Sequence, residues 1–170
     1  MGFIRTKKVK GNEYAYIVSN SWKKKDKEAK QKVKEYLGRV YHLSPVKELS
    51  FENTLSQDLN KYLEQTGKQR LVKDLVVYEL LKHGFNKEGE IYVNGECFVD
   101  IEKSKICTIR KSKAALGMNE GFLCDYHLRK LLKFNESGEE EEISYKLAKL
   151  FVESGISIPK EVFIAYFNKI

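Results

Sequence analysis

Hydrophobic and polar residues alternate along the first quarter of the chain, as they do in β-strands with one buried face. Residues 3–10 and 13–22 keep this alternation on either side of Gly11-Asn12, a dipeptide typical of a two-residue hairpin turn. A third alternating segment follows at 30–41 and is expected to bend near Gly38. The pattern predicts a three-stranded antiparallel β-meander.

Strict alternation assigns the side chains of this meander to two faces. A turn at Gly11-Asn12 would place Lys7 opposite Tyr16 and Arg5 opposite Val18. One face is then apolar and comprises Ile4, Thr6, Ala15, Ile17, Val33 and Leu37. The other face is basic and aromatic and comprises Arg5, Lys7, Tyr14, Tyr16, Lys32, Lys34 and Tyr36.

The remaining sequence predicts helices and short hairpins. Apolar residues recur at helical spacing in 51–65, which Ser50 is placed to cap, and in 69–83, which is followed by Gly84. Short strands are expected within 85–111, and further helices at 119–134, 139–154 and 159–170. The expected fold class is α+β, with an N-terminal three-stranded antiparallel β-meander, a helical pair, short β-hairpins and C-terminal helices.

Charge is distributed unevenly along the chain. Residues 1–47 contain 13 Lys/Arg and 4 Asp/Glu, a net charge of +9, whereas residues 48–170 contain 18 and 20, a net charge of −2. Segregated positive charge indicates a polyanionic partner. We therefore expect two parts, a basic, nucleic-acid-binding β-meander at 1–47 and an α+β body at 48–170 that docks a protein or has a role still to be assigned.

Composition favours a folded protein, with 42% hydrophobic and 32% charged residues. No apolar run approaches the roughly 20 residues that a membrane span requires, and the N-terminus lacks the apolar core of a signal peptide. The three cysteines, Cys97, Cys107 and Cys124, are too few and too scattered for a disulfide framework. These features predict a cytoplasmic protein with reduced thiols and no membrane partner.

The basic and aromatic residues of the meander are the candidate nucleic-acid contacts. Lys and Arg neutralise phosphates, and Tyr rings stack on bases. Such a sheet suits the major groove of DNA or structured RNA equally, while a solvated face with cross-strand Tyr–Lys pairs is the alternative. The candidate contacts are Arg5, Lys7, Lys8, Tyr14, Tyr16, Lys23, Lys24, Lys25, Lys32, Lys34, Tyr36 and Arg39.

Phe3-Ile4-Arg5, the basic run that ends in Lys10-Gly11, and the segments 13–18 and 31–40 together resemble the N-terminal segment of insertion-sequence transposases of the DDE type. The resemblance is confined to residues 3–40 and implies a DNA-contacting, β-rich module. A transposase core needs three carboxylates on an RNase-H-like sheet to bind divalent metals. The chain is too short for that core, and residues 48–170 show no parallel-sheet pattern. The resemblance therefore implies a shared binding module and gives no support for catalysis.

No cluster of residues has the spacing that catalysis or metal binding requires. Cys97, Cys107, Cys124 and His127 lack the two close pairs of ligands found in structural zinc sites, and Cys97 and Cys107 are expected on opposite faces of a hairpin. None of the three histidines is paired with a nucleophile, and no GxxxxGK phosphate loop occurs. The sequence therefore predicts a protein that is not an enzyme and uses no metal or other cofactor.

Three interpretations of function stay open. The leading one is a non-enzymatic protein that contacts DNA or RNA phosphates through the basic and aromatic face. Its rival is a ribosome-associated or ribosomal RNA-binding protein, favoured by small size and a basic extension on a nearly neutral body. The apolar helix at 159–170 supports a third, a protein-interaction module that docks a partner or a second copy. That helix has few polar residues with which to read base edges, which argues against a helix-turn-helix.

Overall fold

A computed structural model describes residues 2–23 and 28–170 and, outside residues 21–30, their side chains. Within these residues the chain forms five α-helices and two β-sheets, which confirms the α+β class. The strands are β1 (Gly2–Val9), β2 (Asn12–Lys23), β3 (Glu28–His42), β4 (Asn86–Glu88), β5 (Ile91–Asn94), β6 (Cys97–Asp100), β7 (Lys105–Thr108), β8 (Ala114–Met118) and β9 (Gly121–Leu123). The helices are α1 (Leu59–Gln65), α2 (Lys68–Lys82), α3 (Asp125–Leu132), α4 (Glu140–Ser154) and α5 (Lys160–Phe167).

The predicted antiparallel meander is confirmed, with β2 between β1 and β3. Lys10 and Gly11 form its first turn, and their φ angles of 48° and 79° are typical of a type I′ turn. Lys7 consequently lies opposite Tyr14. The predicted pairing of Lys7 with Tyr16 is wrong, because it assumes a turn at Gly11-Asn12, one residue later in the chain. Because the error is two residues, which is one full side-chain repeat, each residue of β1 and β2 keeps its predicted face.

Two β-bulges interrupt the pairing of β2 with β3. The register shifts between Ala15 and Tyr16 and again between Ile17 and Val18. Each shift adds one residue to β3 without a partner, so strict alternation fails along that strand. Val33, predicted to lie on the apolar face, is instead paired with Val18 and is 57% exposed.

A parallel pairing of β3 with β8 joins the meander to the rest of the chain in a sheet of order β1-β2-β3-β8-β9. At the start of this pairing Gly38 has a φ of +130°, where the sequence predicts a bend. A Cβ atom there would lie 2.5 Å from the carbonyl oxygen of Lys113, so glycine is required for the close approach. The sheet therefore includes strands from both sides of the predicted boundary at residue 47. The sequence pattern does not predict the parallel pairing of β3 with β8.

α2 is the central buried helix, as its sequence predicts, and its apolar side chains are almost fully enclosed. The second sheet, of order β4-β5-β6-β7, and all five helices contribute to this main core. A smaller apolar cluster under the meander combines Ala15, Ile17, Leu37, Val40, Ala115 and Cys124. The predicted apolar face of the meander is therefore largely correct, with Val33 as its error.

Two predicted helices begin later than expected. The segment 51–65 opens with a 3-10 turn at Glu52–Thr54, and α1 starts only after Asp58, whose carboxylate accepts the backbone N–H groups of Asn60 and Lys61. Asn119 caps no helix, because it lies in the turn between β8 and β9 with a φ of 50°. None of the helices in the described ranges combines the length and the apolar composition of a membrane span.

Candidate nucleic-acid interface

Strand pairing arranges the exposed side of the meander in three rows, because residues directly opposite one another in neighbouring strands share a face. The first row is Lys7, Tyr14 and Arg39, and the next is Arg5, Tyr16 and Tyr36. The third row is apolar, and Val18 at its centre is buried. We call the whole set the meander face: Phe3, Arg5, Lys7, Tyr14, Tyr16, Val18, Val33, Tyr36 and Arg39.

Three tyrosine rings form the centre of the meander face. The Tyr36 ring lies between those of Tyr14 and Tyr16, with ring centroids 6.3 Å and 5.4 Å away and interplanar angles of 40° and 50°. Tyr36 is 41% exposed. Partial burial, together with the neighbouring tyrosines, raises the pKa of its phenol, so the ring carries no charge at neutral pH. The three rings therefore form an aromatic surface that solvent can reach.

Three exposed cations border these rings. Lys7 and Arg39 lie on either side of Tyr14, and Arg5 lies beside Tyr16. The guanidinium of Arg5 donates a hydrogen bond to the side-chain oxygen of Gln31 on β3, which holds it across the sheet. The guanidinium carbon of Arg39 lies 5.2 Å from the centroid of the Tyr41 ring, a cation–π geometry. Positive charge thus borders the aromatic surface on two strands.

The structure places two candidate lysines on the other side of the sheet. Lys8 lies opposite Glu13, whose carboxylate binds the ring of His42 at 2.6 Å. The hydrogen bond from His42 is the main cause of a lowered pKa at Glu13. Lys32 lies opposite Ser19, which shares a face of β2 with the buried residues of the small apolar cluster. Its predicted place among the tyrosines is wrong, because the bulge between Tyr36 and Val33 reverses the alternation of β3.

Four further candidates remain, namely Lys34, Lys23, Lys24 and Lys25. Lys34 is exposed and is one of the residues of β3 that a bulge leaves without a partner in β2. Lys23 ends β2, where its backbone pairs with Glu28, and its side chain is outside the described set. Lys24 and Lys25 lie outside the described residues. The meander face therefore retains Arg5, Lys7, Tyr14, Tyr16, Tyr36 and Arg39 from the predicted contacts.

A pocket of about 540 Å³ opens beside the first row of the meander face. Tyr14, Tyr36 and Arg39 form one of its sides, and the connection between β7 and β8 contributes Arg110 and Lys113. The alternation pattern does not indicate Arg110 and Lys113, because they lie far from the meander along the chain. Only their place in the short basic run 110–113 could have drawn attention to them.

Backbone hydrogen bonds fix the wall of this pocket. The N–H of Thr108 donates to the carbonyl of Ser112 at 2.9 Å, and the N–H of Lys111 donates back to the carbonyl of Thr108 at 2.8 Å. The N–H of Arg39 donates to the carbonyl of Lys113 at 3.2 Å. The Lys113 ammonium lies 3.4 Å from the carboxylate of Glu35. The wall and β3 are therefore held together by contacts of both backbone and side chain.

The cysteines and His127 occupy structural positions. Burial raises the pKa of Cys97 and of Cys124 to about 11, which keeps both thiols protonated at neutral pH. Cys97 pairs with Thr108 and Cys107 pairs with Phe98, so the two cysteines lie on opposite faces of the hairpin, as predicted. Burial lowers the pKa of His127 to about 4, and its Nδ1 lies 2.6 Å from the carbonyl oxygen of Phe122. In the described ranges, no three His, Cys, Asp or Glu side chains converge as metal ligands do.

A buried polar cluster that the sequence does not indicate surrounds Glu79 of α2. Its carboxylate is fully enclosed and accepts hydrogen bonds from the side-chain amide of Asn119 and the backbone N–H of Ser157, both at 3.2 Å. His83 lies next to it, with Nδ1 2.9 Å from the carbonyl oxygen of Glu79. The cluster connects α2 to the β8–β9 turn and to the segment between α4 and α5, which is a structural role.

Comparison with known proteins adds neither a family nor a relative. No family model matches the chain, and no curated protein or solved structure matches it. The resemblance of residues 3–40 to a transposase segment therefore stays a prediction, and function has to be argued from the meander face and the adjoining pocket.

Proposed function

We propose that this protein binds nucleic acid without enzymatic activity and does so through the meander face. The observation that carries the proposal is the arrangement of Arg5, Lys7 and Arg39 around the tyrosine rings on one exposed side of a sheet. Cationic side chains that bind phosphates release condensed counterions, which strengthens binding of the nucleic acid. Exposed aromatic rings strengthen it further when bases stack on them. A single face that offers both is suited to a strand or groove of nucleic acid.

Charge segregation supports the same conclusion from the sequence. The net charge of +9 in residues 1–47 gives this end of the protein a field that attracts polyanions. Experiment has to decide between DNA and RNA. The transposase resemblance favours DNA, whereas cations beside stacking rings are equally common in RNA recognition. Association with ribosomal RNA is one form that the RNA outcome would take.

The rival interpretation as a protein-interaction module loses its main argument. It rested on the apolar character of the C-terminal helix, and α5 uses that character within the protein itself. Val162 and Tyr166 are buried in the main core, where the Tyr166 ring meets Phe151 edge-on at 6.1 Å. Ile164 remains 48% exposed, and single exposed apolar residues are ordinary on protein surfaces.

The test is a salt titration of binding to duplex DNA, duplex RNA and single strands by the double variant Arg5→Glu/Lys7→Glu. For duplex DNA, each lost phosphate contact makes the negative slope of log K against log salt shallower by about 0.9. We therefore expect the slope of the double variant to be shallower by about 2 and its affinity to be at least ~10-fold weaker. The matched control is Lys61→Glu/Lys87→Glu, which changes net charge equally at exposed positions outside the meander. Equal effects of the two double variants would refute the meander face as the contact surface.

A further inference from the structure

The pocket beside the meander face has the size of a site for a small ligand. Its volume of about 540 Å³ lies within the ~300–1,000 Å³ range of such sites. A nucleic-acid duplex cannot enter it, because the bases of a duplex are paired and stacked between two backbones and reach a pocket only when they leave the stack. A single nucleotide unit, with one base and one phosphate, is the part of a nucleic acid that this space can admit.

Charge and aromatic surface both favour a nucleotide as the occupant. Arg39, Arg110 and Lys113 place three cationic groups on the lining, against the carboxylate of Glu96. Lys113 is partly neutralised by Glu35 at 3.4 Å, which leaves the two arginines as the principal phosphate ligands. Tyrosine rings on the sheet side supply a surface on which a base can stack.

The pocket is continuous with the meander face. Tyr36 belongs to the central row of that face and also lines the pocket, as Tyr14 and Arg39 of the neighbouring row do. A strand bound along the rows would therefore pass directly over the pocket opening. This continuity indicates a nucleotide within a polymer rather than a free nucleotide.

We propose that the pocket holds one unstacked nucleotide of a single-stranded segment of DNA or RNA. The base packs against Tyr36 and Tyr14, and the phosphate lies between Arg39 and Arg110, with Lys113 behind it. The inference rests on the proposed function and narrows it to single strands. A duplex keeps its bases stacked, so it reaches the cations of the meander face but leaves the pocket empty.

The experiment compares the affinity for a single-stranded oligonucleotide with that for the matched duplex at one salt concentration. We expect the wild type to prefer the single strand by at least ~10-fold, which corresponds to about 1.4 kcal/mol. Tyr36→Leu and, separately, Arg110→Glu should remove most of this preference, because each should weaken binding of the single strand far more than binding of the duplex. Tyr145→Leu, at a tyrosine of α4 that is 65% exposed, is the matched control and should change neither affinity.

A second measurement reports directly on stacking. The fluorescence of 2-aminopurine within the oligonucleotide should change on binding to the wild type and to Tyr145→Leu, and much less on binding to Tyr36→Leu. Arg110 lies on an exposed connection, so its variant tests the site without disturbing the sheet.

The outcomes separate the two proposals. Equal affinity of the wild type for single strand and duplex, unchanged in both pocket variants, would refute the pocket proposal and leave the proposed function standing. Binding of a free nucleoside monophosphate as tight as that of the oligonucleotide would overturn the assignment to a polymer. Absence of binding to either nucleic acid at low salt would refute the proposed function and the pocket proposal together.

Discussion

Gly38 is the position at which a single methyl group should disturb both the fold and the pocket. Its Cβ would meet the carbonyl oxygen of Lys113 at 2.5 Å, the carbonyl carbon at 2.6 Å and the nitrogen of Ala114 at 2.7 Å. All three are backbone atoms of the β3–β8 junction and cannot move aside as a flexible side chain does. We expect Gly38→Ala to push β8 and the pocket wall away from β3.

The magnitude follows from two contributions. A φ of +130° costs a residue with a Cβ of the order of 1–3 kcal/mol. Displacing Lys113 also weakens the 3.2 Å hydrogen bond that its carbonyl accepts from Arg39, with a net loss of about 1 kcal/mol. The free energy of unfolding should therefore fall by about 2–4 kcal/mol, which lowers the urea midpoint by about 1–2 M for an m-value near 2 kcal/mol/M.

The assay is equilibrium urea denaturation of Gly38→Ala beside Gly89→Ala. Gly89 also has a positive φ, +62°, but no atom lies within 4 Å of its virtual Cβ, so it reports backbone strain without the collision. We expect the control to lose only about 1 kcal/mol. Equal losses in the two variants would refute the close approach of β3 to the 113–114 backbone. Gly38→Ala should also weaken the preference for single strands, because Lys113 lines the pocket.

Three further predictions concern buried groups. Glu79→Ala should lower the free energy of unfolding by at least ~2 kcal/mol, because it removes a fully buried side chain and the hydrogen bonds that its carboxylate accepts from Asn119 and Ser157. The exposed Glu64→Ala should have little effect in the same denaturation assay. The folded protein holds His127 neutral with a pKa of about 4 against 6.5 for an ordinary histidine, so unfolding takes up a proton below pH 6.5. Stability should fall between pH 6.5 and 4, and this loss should be smaller in His127→Gln when urea midpoints are compared. Half-buried Cys107 should be alkylated before the two buried thiols, as peptide mass spectrometry of the folded protein can establish.

The sequence predicts the meander well because its information is local. Alternation with a period of two fixes which residues of β1 and β2 face the core, and Ala15 and Ile17 are buried as expected. The face assignment survives the misplaced turn, since a shift of two residues restores every side chain to the same side. A bulge is not marked in the sequence, because it depends on how β2 and β3 pair. Strict alternation therefore assigns Val33 and Lys32 to the wrong faces.

The parallel strand and the pocket could not be predicted because their determinants are not local. All five residues of β8 are buried, so both faces of the strand are covered and no alternation marks it. The sequence consequently predicts a helix from Asn119, where the structure has β9 before α3. Arg110 and Lys113 are ordinary basic residues in the sequence, and only the pairing of Arg39 with Ala114 brings them to the tyrosines.

The pairing of β3 with β8 argues that the proposed binding surface and the body act as one unit. β3 carries Tyr36 and Arg39 on its exposed side and Leu37 in the small apolar cluster, where Ala115 and Cys124 of the body complete the packing. The rows of the meander face are therefore positioned by residues beyond 47 as well as by the meander itself. A basic segment alone would retain its charge and attract polyanions, but it would lose the pocket wall. We therefore expect the proposed discrimination between single strand and duplex to require the whole protein, and the proposed salt-dependent attraction to come mainly from residues 1–47.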